Sequence, residues 1–62
     1  MKRRLMFDGK VYGVTFDEYG VVDTVIADGE PLSTRNRVVK KILSNADRIL
    51  AGAIPAGFNK VE

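Results

Sequence analysis

Histidine, cysteine and tryptophan are all absent from this 62-residue chain. Without cysteine there is no disulfide, thiolate nucleophile or thiolate metal ligand, and without histidine there is no imidazole base or ligand. A serine nucleophile, Ser33 or Ser44, would have to use lysine or a carboxylate as its base, and no glycine-rich elbow or phosphate loop surrounds either one. The carboxylates Asp17, Glu18, Asp28 and Glu30 fall in turn sequences and lack the spacing of a calcium loop. The chain therefore reads as a non-enzyme with no cofactor, no metal and no small-molecule substrate. Long apolar runs are missing too. None approaches the roughly 18 residues of a membrane span, and the basic start Met1-Lys2-Arg3-Arg4 leads only into Leu5-Met6-Phe7 before Asp8-Gly9. No membrane contact and no signal peptide are expected, and with the lack of cysteine this favours the cytoplasm.

What is present is the composition of a folded domain, 45% hydrophobic and 29% charged. Size scaling puts the burial on folding at about 5,900 Å², about 60% of it apolar. That is worth roughly 90 kcal/mol, against roughly 93 kcal/mol of ordering entropy. Disulfides and metals being excluded, self-association is the remaining common way to stabilise so short a chain.

The first half reads as three strands joined by tight turns. Asp8-Gly9, between apolar segments, is the signature of a two-residue hairpin turn whose central residues both take positive φ. Such a turn pairs Phe7 with Lys10, Leu5 with Tyr12 and Arg3 with Val14. It also puts Leu5, Phe7, Tyr12, Val14 and Phe16 on one face. Asp17-Glu18-Tyr19-Gly20 fits a longer turn ending in a left-handed glycine, which pairs Phe16 with Val22 and adds Val22, Thr24 and Ile26 to the core face. Met6, Val11, Val21 and Val25 then fall on the opposite face, which is more apolar than a solvated surface should be and invites a covering partner.

The second half carries the cleanest periodicity. At 100° per residue, Val38, Val39, Ile42, Leu43, Ala46, Ile49 and Leu50 fill an arc of about 140° with no polar intruder, which predicts an amphipathic helix of about four turns. Ser33 or Thr34 is the predicted N-cap, and Gly52 and Pro55 end the helix. The predicted architecture is α+β: a three-stranded antiparallel meander (3–7, 10–16, 21–27) packed against one long C-terminal helix (34–51). An irregular tail (52–62) is anchored by Ile54 or Phe58, all in one small domain.

Charge is distributed unevenly. Residues 1–31 hold four basic and six acidic side chains, a net of −2, whereas residues 32–62 hold six basic and two acidic, a net of +4. Arg37, Lys40, Lys41 and Arg48 lie on the polar side of the predicted helix with Asp47 as the only carboxylate. Such a stripe is ordinarily a solvated face, and it is also what a phosphate-binding surface requires. Lys2, Arg3 and Arg4 suit the guarding of an edge strand, although Arg4 on the second sheet face is a further candidate for nucleic-acid contact. Tyr12 is assigned to the core and Tyr19 to a turn, so no aromatic platform for base stacking is expected.

The leading expectation is a small interaction module, homodimeric or bound to another protein through Met6, Val11, Val21 and Val25. The alternative is a nucleic-acid-binding accessory or regulatory protein that presents Arg37, Lys40, Lys41 and Arg48 to phosphates. Either Val39→Asp or Ile42→Asp places a charge in the middle of the apolar arc, so each is expected to unfold the chain. The far-ultraviolet circular dichroism of the purified variants checks this.

Overall fold

The computed structural model describes residues 1–61. Strand β1 (Lys2–Phe7) and strand β2 (Lys10–Phe16) form a hairpin across Asp8 and Gly9, whose φ angles are 52° and 79°. Its register follows the turn chemistry: Phe7 opposite Lys10, Leu5 opposite Tyr12 and Arg3 opposite Val14. Strand β3 (Val22–Ala27) pairs with β2, and a second Asp-Gly turn at Asp28 and Gly29 leads into the two-residue strand β4 (Glu30–Pro31). Helices α1 (Arg37–Ser44) and α2 (Ala46–Leu50) follow, and strand β5 (Phe58–Lys60) returns to pair antiparallel with β1. The sheet order is β4-β3-β2-β1-β5.

This mostly β architecture, a five-stranded antiparallel sheet with two short helices, replaces the predicted three-stranded meander with one long helix. Three local causes account for the difference. First, the helical run is broken at Asn45, whose backbone sits at φ −117° and ψ 19°. The Ser44 hydroxyl donates to the Lys40 carbonyl at 3.0 Å and the Asn45 amide donates to the Lys41 carbonyl at 2.8 Å. Side chains that bond the preceding turn in this way compete with the helical ladder. The apolar period survives the break because α2 restarts at once, with Ile49 N–H bonded to Asn45 C=O, so the pattern alone did not betray it. Second, the cap is Asn36 rather than Ser33 or Thr34. Its side chain accepts from Val38 and Val39 N–H, while the Ser33 hydroxyl accepts from Arg35 N–H and holds a separate turn. Third, the tail is not irregular throughout. Gly52, at φ 95°, ends α2 with Ala53 N–H on the Arg48 carbonyl and its own N–H on Ile49. Phe58 is then buried against Phe7, ring centroids 4.9 Å apart, and this anchors β5 on β1.

The register of β3 departs from expectation beyond its first pair. Phe16 lies opposite Val22 as the turn predicts, but Thr15 lies opposite Thr24, so Asp23 is an extra, unpaired residue. At this bulge the Thr15 hydroxyl donates to the Thr24 carbonyl at 3.2 Å and accepts from the Thr24 N–H at 3.1 Å. One inserted residue exchanges the two faces of the remaining strand. Val25 and Ala27 therefore point into the core, and Thr24 and Ile26 lie on the opposite face.

The core is a single layer between one sheet face and the helices. Leu5, Tyr12, Val14, Phe16, Val25, Ala27 and Phe58 from the sheet meet Val39, Ile42 and Ile49 from the helices. Arg3 ties the layers at one end, its guanidinium Nη2 donating to the Leu50 carbonyl at 2.8 Å at the C-terminus of α2. Among the described residues, no helix is long and apolar enough to cross a membrane.

The bulge makes a measurable claim. Thr15→Val removes both hydroxyl bonds and leaves the Thr24 N–H and C=O without that partner, so it should lower the unfolding free energy by about 1–2 kcal/mol, whereas Thr15→Ser should recover most of it. Urea titration of the three proteins measures the difference.

Candidate functional site

Directly paired residues share a face, so the strand registers define the uncovered side of the sheet. One row is Asn59, Met6 and Val11; the next is Arg4, Gly13, Ile26 and Pro31; the third is Lys2, Thr15 and Thr24. These three rows contain two cations and no carboxylate. Both helices lie on the other side. Val11 is 38% exposed, Met6 and Ile26 are half-buried by their strand neighbours alone, and the Lys2 stem lies across Gly13, its Cε within 3.5 Å of where a Cβ would stand. A shallow hollow of about 520 Å³ runs over Lys2, Arg4, Val11, Gly13 and Ile26 toward the Asp28-Gly29 turn.

Of the four residues assigned to a partner-binding face, Met6 and Val11 lie together here. Val25 does not: the bulge turns it into the core, where it is 3% exposed. Val21 is exposed but precedes β3, in the turn where Asp17 Oδ1 accepts from the N–H groups of Tyr19 and Val21. Ile26 takes the place assigned to Val25. The missing signal was the bulge, and nothing in the sequence of β2 or β3 marks it apart from the uneven loop that precedes it.

The assigned basic residues fall into four separate places. Arg37 and Lys41, one turn apart on α1, flank Val38 and Phe7 around a hollow of about 310 Å³, with the Lys41 ammonium 4.9 Å from the Phe7 ring centroid. Lys40 is exposed elsewhere on α1. Arg48 belongs to α2, beyond the break, and its guanidinium donates to Asn45 Oδ1 at 3.2 Å. The continuous four-residue ridge expected of a single helix is thus interrupted. Arg4 lies on the bare sheet face and lines a cleft with Lys2, Arg3 and Lys60 at the edge of β1. Among the described residues the one ion pair is Lys10 with Asp28, at 3.2 Å.

Among the described residues no three carboxylates, or other metal-binding side chains, cluster to hold a cation. Tyr19 is 82% exposed in its turn and Tyr12 is buried, so no aromatic pair stands on the sheet surface. No family model, curated protein or solved structure matches this chain.

Replacing Arg37 and Lys41 together by alanine removes one exposed cation–π contact and relieves one like-charge pair, effects of about 0.5–1 kcal/mol and a few tenths. The double variant is expected to stay folded, with its melting curve close to that of the parent. A loss of folding would show these cations to be structural.

Proposed function

We propose that this chain is a small non-catalytic interaction module that pairs with a second copy of itself through the uncovered sheet face. The observation that carries the reading is the one-sided closure of the sheet. Met6, Val11, Ile26 and Pro31 form the apolar part of a face that no other part of the described chain covers. The accessible surface of 4406 Å² is above the roughly 3,950 Å² that size scaling assigns to a compact monomer of this mass, as a layer open on one side requires. A standard interface of about 800 Å² per copy would use less than a fifth of it.

Symmetry is compatible with the charges. A two-fold axis along β2 sets β1 of one copy over β3 of the other, so Lys2 and Arg4 fall over Thr24 and Ile26 instead of over each other. The Lys and Arg stems then add apolar contact while their charged ends reach the rim. A nucleic-acid-binding role for Arg37, Lys40, Lys41, Arg48 and Arg4 has less support, because the groups face different directions and offer no continuous track for a phosphate backbone.

Sedimentation at micromolar concentration tests the reading. The parent should sediment as a dimer, and Val11→Glu, which buries a carboxylate in such an interface but leaves the core untouched, should sediment as a folded monomer. A parent that is monomeric at these concentrations overturns the proposal. Binding to mixed-sequence duplex DNA at low salt, lost steeply as salt rises, would favour the nucleic-acid reading instead.

A further inference from the structure

The two edges of the sheet differ. On the β4 side the edge strand is two residues long, covers only Ile26 and Ala27 of β3, and contains Pro31, which offers no N–H to an incoming chain. On the other side β5 covers only Leu5 to Phe7 of β1, leaving the first half of β1 without a strand beside it. The direction of its backbone follows from the hairpin ladder. Met1 and Phe16 exchange both main-chain hydrogen bonds, so Met1, Arg3, Leu5 and Phe7 turn their N–H and C=O toward β2, and Lys2 turns its own toward the open edge. The ladder thus turns the Lys2 N–H and C=O away from β2, in the stretch of β1 that β5 does not reach.

Beside this edge lies a cleft of about 450 Å³ between β1, β5 and the loop after α2. Leu5 and Ile49, 2% and 1% exposed, form its floor, Ala53, Ile54 and Val61 supply its accessible apolar rim, and its cations are Lys2, Arg3, Arg4 and Lys60. No carboxylate lines it among the described residues, and none of the four cations is ion-paired there. Arg3 spends one guanidinium nitrogen on the Leu50 carbonyl, and its buried Nε has no partner.

We infer that this cleft docks an extended acidic peptide segment of a partner protein, laid along the β1 edge in line with β5. The Lys2 main chain supplies strand-type hydrogen bonds, Leu5, Ile49 and Ile54 receive an apolar side chain, and Lys2, Arg3, Arg4 and Lys60 hold the flanking carboxylates. Charge complementarity selects the occupant. A second copy would bring four more cations to the same place, and a nucleic-acid strand would leave the apolar floor unused and find no aromatic side chain to stack on. Lys2 and Arg4 border both this cleft and the bare sheet face, whereas Leu5, Ile49, Ile54 and Lys60 lie off that face, so changes at Ile54 and Lys60 probe the cleft without touching the dimer surface.

Fluorescence anisotropy with a short labelled peptide in which Asp and Glu alternate with Leu and Val tests the inference, alongside the same peptide carrying Lys for each acid. The acidic peptide should bind and the basic one should not. Lys60→Glu and Ile54→Glu, both at exposed side chains outside the sheet face, should each weaken binding about tenfold or more while melting curves and sedimentation stay as in the parent. Lack of binding by the acidic peptide, or equal binding by the folded Lys60→Glu and Ile54→Glu proteins, overturns the inference. So does preferential displacement of the peptide by duplex DNA. If one variant fails to fold, the other decides. A monomeric parent that still binds the peptide would count against the dimer alone.

Discussion

Thirteen helical residues close one face of a five-stranded sheet, and the rest of the molecule is arranged around that contact. Val39, Ile42 and Ile49 are almost fully buried over Leu5, Val14 and Val25, and they are the only helical side chains that are. With so few residues above the sheet, their placement must be held from both ends. Asn36 holds the start of α1 by accepting from two backbone N–H groups, and Arg3 holds the end of α2 through the Leu50 carbonyl. The loop after α2 then carries Pro55 and Phe58 into the remaining gap beside Phe7. Among the described residues no helix covers the opposite face.

That shortage links packing to function. A chain with a single apolar layer and no disulfide keeps its interior dry on one side only, so the second face must be either polar or partnered. Here it is neither fully polar nor covered: Met6, Val11 and Ile26 sit among Lys2, Arg4, Thr15 and Thr24. The cations are divided by the same geometry. Lys2 and Arg4 follow the sheet, Arg37 and Lys41 follow α1, and the break at Asn45 sends Arg48 with α2. Within regular elements, the basic residues of the second half are consequently divided among α1, α2 and β5.

Much of the fold was legible where chemistry is local. Asp8-Gly9 set the register of β1 and β2 because positive φ at two successive positions admits one hairpin geometry. The same dipeptide at Asp28-Gly29 made a second hairpin, but Pro31 shortened its return strand to two residues and hid it among turn signals. Of the seven residues in the apolar arc from Val38 to Leu50, Val39, Ile42 and Ile49 are buried, Val38, Ala46 and Leu50 are half-buried and Leu43 is exposed, and the arc did not reveal the interruption, since α2 resumes the same phase after Asn45. On the bare face Met6 and Val11 were legible, whereas Ile26 was missed and Val25 misplaced by the single unpaired residue Asp23.

The sequence by itself determined the exclusions and the short-range geometry: no thiol or imidazole chemistry, a first hairpin in one register, and a helical segment with one apolar side. These depend on residue identity and on contacts a few positions apart. Only the tertiary structure decided the bulge opposite Thr15, the docking of β5 on β1 and the grouping of Lys2, Arg3, Arg4 and Lys60 around one cleft. Each of these joins segments distant in the chain, and the position of an unpaired residue in a ladder is chosen by which side chains the core on the far side will accept.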